Sequence, residues 1–151
     1  MERRLGNMRI YLDNCCFNRP FDDQDQIRIR LEAEAKLNIQ ERVQAGTIEL
    51  AWSYILDYEN QFNPFNERRE AIGKWRARAA VDIDENVEIV RAAKRLCADG
   101  LRPKDALHVA CAAALDCEFF VTTDDGILNR LSEYRTMRVV DPTEFVRAVS
   151  I

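Results

Sequence analysis

The chain has 151 residues, 47% of them hydrophobic and 32% charged, with a formal net charge of −4. This balance supports a packed core under a solvated surface and excludes a disordered chain. No apolar run approaches the ~20 residues that cross a bilayer, the charged start MERRLGN carries no secretory signal, and five cysteines with no C-x-x-C pair and one histidine exclude a disulfide framework or a structural zinc site.

Residues 1–7 read as an N-terminal extension and 8–151 as one domain of ordinary size. The first β-type run is 9–12 (RIYL), which leads straight into Asp13 and Asn14. After Pro20, Asp22 and Asp23 read as caps of a long helix over 25–45, where Ile27, Leu31, Ala35 and Ile39 recur at helical spacing. A second strand is expected at 47–51, then a short helix over 54–62 with Ser53 placed to cap it. The next helix, 68–80, belongs to a stretch (66–80) with five cations against two anions. It reads either as a solvated helix face or as a basic face for phosphate contacts through Arg68, Arg69, Lys74, Arg76 and Arg78. A helix over 86–98 stops at Asp99-Gly100, and Pro103 opens another over 104–115. A third strand at 118–122, a helix over 127–134, a fourth strand at 138–140 ended by Asp141-Pro142 and a helix over 143–149 complete the chain.

Short strands alternating with helices predict an α/β fold, a short, mostly parallel sheet covered on both faces. Ligands of such sheets bind at the carboxyl ends of the strands. Asp13 falls at the end of the first strand and Asp124 at the end of the third, with Asp105 in the first turn of its helix and Glu59 six residues beyond Ser53. Four acids from four segments can converge there. Carboxylates alone, without His or Cys, form an oxygen-only site suited to Mg²⁺ or Mn²⁺, which polarises a phosphoryl oxygen and activates water for in-line attack. Each acid has a plainer reading. Asp13 and Asp124 could be helix caps, Asp105 could complement its helix dipole, and Glu59 could be a solvated helix residue. Asp57 and Asp125 compete for the same roles; alternation along the strand turns Asp124 toward the pocket and leaves Asp125 to cap the next helix. His108, one turn after Asp105, reads as an aid to proton transfer or as a packing residue.

From residue 9 to about 149 the chain resembles the PIN-domain nucleases, which include the toxin halves of prokaryotic toxin–antitoxin pairs. The resemblance is carried by IYLDNCCFNRPF, SYILDYE, PKDALHVACAAALDCEFFVTTDDGIL and RVVDPTEF. It implies a three-layer α/β/α sandwich and a Mg²⁺- or Mn²⁺-dependent endoribonuclease. It places Asp13, Glu59, Asp105 and Asp124 on the family's acidic positions, as catalytic and metal-holding residues. It further implies an RNA substrate in the cytoplasm and helix surfaces available to an antitoxin protein or a homodimer. The competing readings are a catalytically idle PIN-like module that binds RNA or protein, and a phosphoacceptor domain using Asp13. The latter wants a lysine late in the chain, and none follows Lys104.

Overall fold

The computed structural model describes residues 8–149, so the expected extension at 1–7 lies outside the described residues. Five parallel strands form one sheet: β1 (Met8–Leu12), β2 (Ile48–Ser53), β3 (Val81–Ile83), β4 (Phe119–Val121) and β5 (Arg138–Val140), in the order β3-β2-β1-β4-β5. The middle strands are buried nearly without interruption, as a sheet covered on both faces requires: Ile10, Tyr11, Leu12, Leu50, Ala51, Trp52, Phe120 and Val121 have almost no exposure.

Among the described residues, eight α-helices connect and cover the strands: α1 (Asn14–Asn18), α2 (Ile27–Gln44), α3 (Tyr54–Gln61), α4 (Asn66–Lys74), α5 (Val87–Ala98), α6 (Pro103–Ala114), α7 (Asp125–Arg130) and α8 (Pro142–Val149). From β1 to β3 the chain moves toward one edge of the sheet; from β3 onward it returns past β1 toward the other. Right-handed crossovers put the connections of the two directions on opposite faces: α2 lies in one layer, where α8 packs on it, and α5 with α6 in the other. The reversal falls between β1 and β4, and that is where a site is expected.

The α/β/α sandwich is as expected, with local corrections. A fifth strand, β3, follows directly on the basic stretch; three half-exposed edge residues carry too little apolar signal to be read in advance. The helix expected over 68–80 is α4 followed by a 3₁₀ turn, Trp75–Arg78. Asp22 and Asp23 do not cap α2, whose N-cap is Gln26. Asp22 instead pairs with Arg19 and Arg68. α2 also buries two charges. Glu32 is held by Arg19 at 3.0 Å and Arg28 at 3.4 Å. Lys36 lies over the rings of Phe17 and Trp75, 5.2 and 5.7 Å from their centroids. All five cysteines are free, and Cys111 is the small buried helix thiol expected. No helix among the described residues is long and apolar enough to cross a membrane.

Candidate active site

Asp13 follows the last residue of β1 and is buried; its Oδ1 accepts the Asn14 N–H at 2.8 Å, so it caps α1. Its other oxygen accepts the Thr122 hydroxyl at 2.8 Å, and Thr122 Oγ1 in turn accepts the Asp124 N–H at 3.1 Å. One threonine thus ties together the acids at the ends of β1 and β4. Asp124 caps α7, accepting from Ile127 N at 3.1 Å, while its Oδ2 takes the Arg102 guanidinium at 2.6 Å. Asp105, in the first turn of α6, accepts from the same guanidinium at 2.9 Å. Burial and the negative charges of Asp13 and Asp124 hold the Asp105 carboxyl above its usual range, against the downward pull of Arg102. Asp13, Asp105 and Asp124 therefore meet at one edge of the sheet. Capping and pocket geometry coexist in Asp13 and Asp124, because a cap uses one carboxylate oxygen and leaves the other.

Glu59 reaches the group from α3 and meets it through His108 rather than through the other acids. His108 Nε2 hydrogen-bonds Glu59 and lies 3.8 Å from Asp13 Oδ1. Asp13, Glu59 and His108 present ligand atoms all within 4.8 Å of one another. The imidazole's other nitrogen bonds the Tyr11 hydroxyl at 2.6 Å, and that hydroxyl bonds Ser53 Oγ at 2.6 Å. Tyr11, Ser53 and His108 are all essentially inaccessible. Burial pulls the His108 pKa down, but the Glu59 hydrogen bond and the charges of Asp13, Glu59 and Asp105 outweigh it, and the net direction is up. In the protonated ring both nitrogens donate, to Glu59 and to Tyr11. The buried chain Ser53–Tyr11–His108 then fixes where the Glu59 carboxylate sits.

Sequence reasoning missed Thr122, Tyr11 and Arg102 at this site. The signal for Arg102 was legible, since an arginine three residues before Asp105 at a helix start can fold back on it. Asp125 is the exception to the expected capping pattern. Asp124 is the cap, and Asp125, exposed, pairs with Arg28 through two contacts of 2.8 and 2.9 Å. We therefore expect Asp125→Asn to melt close to wild type, as the loss of an exposed pair allows, with cleavage unchanged. A thermal melt beside a cleavage assay checks this, and an inactive Asp125→Asn would mean the site's boundary is misplaced. Three arginines of the basic stretch already have partners within the protein. Arg68 pairs with Asp22 and covers the Phe65 ring, Arg69 donates to Asn63 O, and Arg76 bridges Asp57 and Asp82.

The donor set suits a hard divalent cation. Carboxylates dominate, they come from four elements, and burial together with the charges of Asp13 and Asp124 holds the Asp105 carboxyl up despite Arg102. Among the described residues, Asp13, Glu59 and His108 stand close enough to share one ion, so an imidazole joins the oxygen-only set expected, with Asp105 and Asp124 beside it through Arg102. Gly126 leaves room for Asp124: a Cβ there would stand 3.0 Å from its Oδ1.

A family model described as PIN domain matches residues 10–134, and these contain all four acids. No curated protein matches the sequence. Among solved structures, the chain is similar to VapBC2 from Rickettsia felis bound to a DNA fragment from their promoter, at 13% identity and a TM-score of 0.57, covering 87% of this chain and 97% of that one. It is also similar to VapBC-1 from nontypeable Haemophilus influenzae, at 18% identity and a TM-score of 0.56, covering 90% of this chain and 99% of that one. At these identities the likeness speaks for the fold.

Proposed function

The chain belongs to the PIN-domain family, and from that premise we propose that it is a metal-dependent endoribonuclease. The observation that carries this reading is the convergence of Asp13, Asp105 and Asp124 on one sheet edge, with Glu59 brought to Asp13 by His108. Mg²⁺ or Mn²⁺ held by these acids would supply charge stabilisation at the phosphoryl oxygens and an activated water. The chain's own residues do the positioning. Thr122 fixes Asp13 relative to Asp124, and the Ser53–Tyr11–His108 chain orients Glu59. Without a cation, four acids in one cleft repel one another, and one of them tends to keep its proton.

The test is incubation with a circular RNA. Internal cuts are expected with Mg²⁺ or Mn²⁺ and none with chelator. RNA binding without cutting at any metal concentration would sink the reading and favour an idle RNA-binding module. Metal binding has its own measure. By calorimetry, Asp105→Asn should weaken Mn²⁺ binding on the order of tenfold or more, comparable to losses at other ligand positions. Equal affinity in both proteins would remove Asp105 from the metal site.

The partner and compartment belong to the same proposal. The VapBC likeness supports a toxin role with a small antitoxin protein, expressed in the cytoplasm, where free thiols persist. Ile27, Leu31, Tyr58, Phe62 and Phe65 expose apolar surface available to that antitoxin or to a second copy. Expression alone should slow growth of the host cell, and co-expression of the neighbouring reading frame should restore it.

A further inference from the structure

Arg102 is the one guanidinium bound to two of the proposed metal-holding acids among the described residues, at 2.9 Å from Asp105 and 2.6 Å from Asp124. Its side chain is 72% exposed, so water competes for both contacts and the pair holds weakly. Its backbone is far less free. It is the N-cap position of α6, between buried Leu101 and the conformationally fixed Pro103, and lines a cleft of about 370 Å³ with Asp105, Asp124 and Arg130. A doubly charged cation that takes Asp105 and Asp124 must displace the guanidinium. The displaced group stays at the cleft, tethered by a fixed main chain.

We propose that Arg102 couples cation binding to RNA binding: it competes with the divalent cation for Asp105 and Asp124 and, once displaced, binds a phosphate of the RNA. This rests on the nuclease reading above. Two changes act together when the cation binds. The acids stop repelling phosphate, and a planar fork of donors shaped for phosphate oxygens becomes available. Linkage makes the effect reciprocal: RNA that holds Arg102 away from the acids tightens the cation. Metal and RNA should each bind poorly alone and well together.

Manganese titrations of the full chain without RNA, followed by electron paramagnetic resonance, read the competition. Arg102→Gln should bind Mn²⁺ roughly two- to fivefold more tightly than wild type, the gain expected from removing a weak competing ion pair. Arg130→Gln removes the same charge from the same cleft, but its guanidinium lies over Gly100, so it should leave Mn²⁺ affinity unchanged. No gain in Arg102→Gln, or an equal gain in both variants, overturns the displacement. The second arm adds a short 2′-O-methyl oligoribonucleotide, which resists cleavage. Mn²⁺ should tighten its binding to wild type by roughly fivefold or more, and Arg102→Gln should lose most of that enhancement. Full enhancement in Arg102→Gln overturns the transfer to phosphate. A wild-type protein that binds no Mn²⁺ would sink the nuclease reading and this inference together, whereas normal Mn²⁺ binding indifferent to Arg102 removes the inference alone.

Discussion

Asp13→Asn should lose metal-dependent cleavage by roughly 10³-fold or more while keeping the fold, a loss equivalent to several kcal/mol of charge stabilisation at the transition state. The side chain sits where β1 ends, with one oxygen on the Asn14 N–H and the other on the Thr122 hydroxyl. Asparagine keeps a carbonyl acceptor for the helix cap, and asparagine caps about as well as aspartate. It removes the negative charge and, on the other side, the acceptor of the Thr122 hydroxyl, which can rotate to accept from the amide instead. That loss also relieves Asp105, whose carboxyl is held up partly by the charge of Asp13, so the thermal midpoint should stay level or rise slightly. Single-turnover cleavage and a melting curve measured on the same preparation separate the outcomes. A variant that melts well below wild type makes Asp13 a structural residue, and one that cleaves normally takes it out of the site.

The largest effect on stability is expected at Lys36. Burial pushes its ammonium down from 10.5 to about 8, a displacement worth about 3 kcal/mol against the charged form at neutral pH. The rings of Phe17 and Trp75 return part of this through cation–π contact. Lys36→Met keeps the stem's packing and removes the buried charge, so it should stabilise the protein by about 2 kcal/mol at pH 7. The pH dependence has a definite sign. Between pH 8 and 10.5 the folded chain holds fewer protons at this position than the unfolded one. Wild-type stability therefore gains through that window, and the advantage of Lys36→Met shrinks. Denaturant melts of both proteins at pH 7 and pH 10 test this; a variant less stable at both values would show that the ring contacts outweigh the desolvation.

The sequence carried the architecture further than it carried the interior of the site. Continuous apolar runs such as IYL and FFV betray strands buried on both faces, and Gly100 and Pro103 punctuate the helices they flank. Val81–Ile83 escaped notice because an edge strand of three residues has no periodicity to find. Of the acids, Asp13 and Asp124 were readable from strand ends alone, since the sheet rule fixes where they fall. How Glu59 joins them was not readable. Its link runs through His108, Tyr11 and Ser53, separated by up to 97 positions, and long-range side-chain pairing leaves no mark on local spacing. The same limit applied to the basic stretch: composition showed its charge, while the partners Asp22, Asp57 and Asp82 lie outside the local pattern.

The return of the chain past β1 has a temporal side. Asp13 and the threonine that holds it are 109 positions apart, and β4, which places that threonine, forms only late in the chain. Loop closure over such a span is among the slowest steps available to a domain of this size. During synthesis at roughly 5–20 residues per second, β1 and β2 can pair while the second half of the sheet does not yet exist. For the several seconds between synthesis of Asp13 and of Asp124, the growing polypeptide holds an incomplete set of acids. The order of strands thus keeps Asp13 and Asp124 apart until β4 has paired with β1.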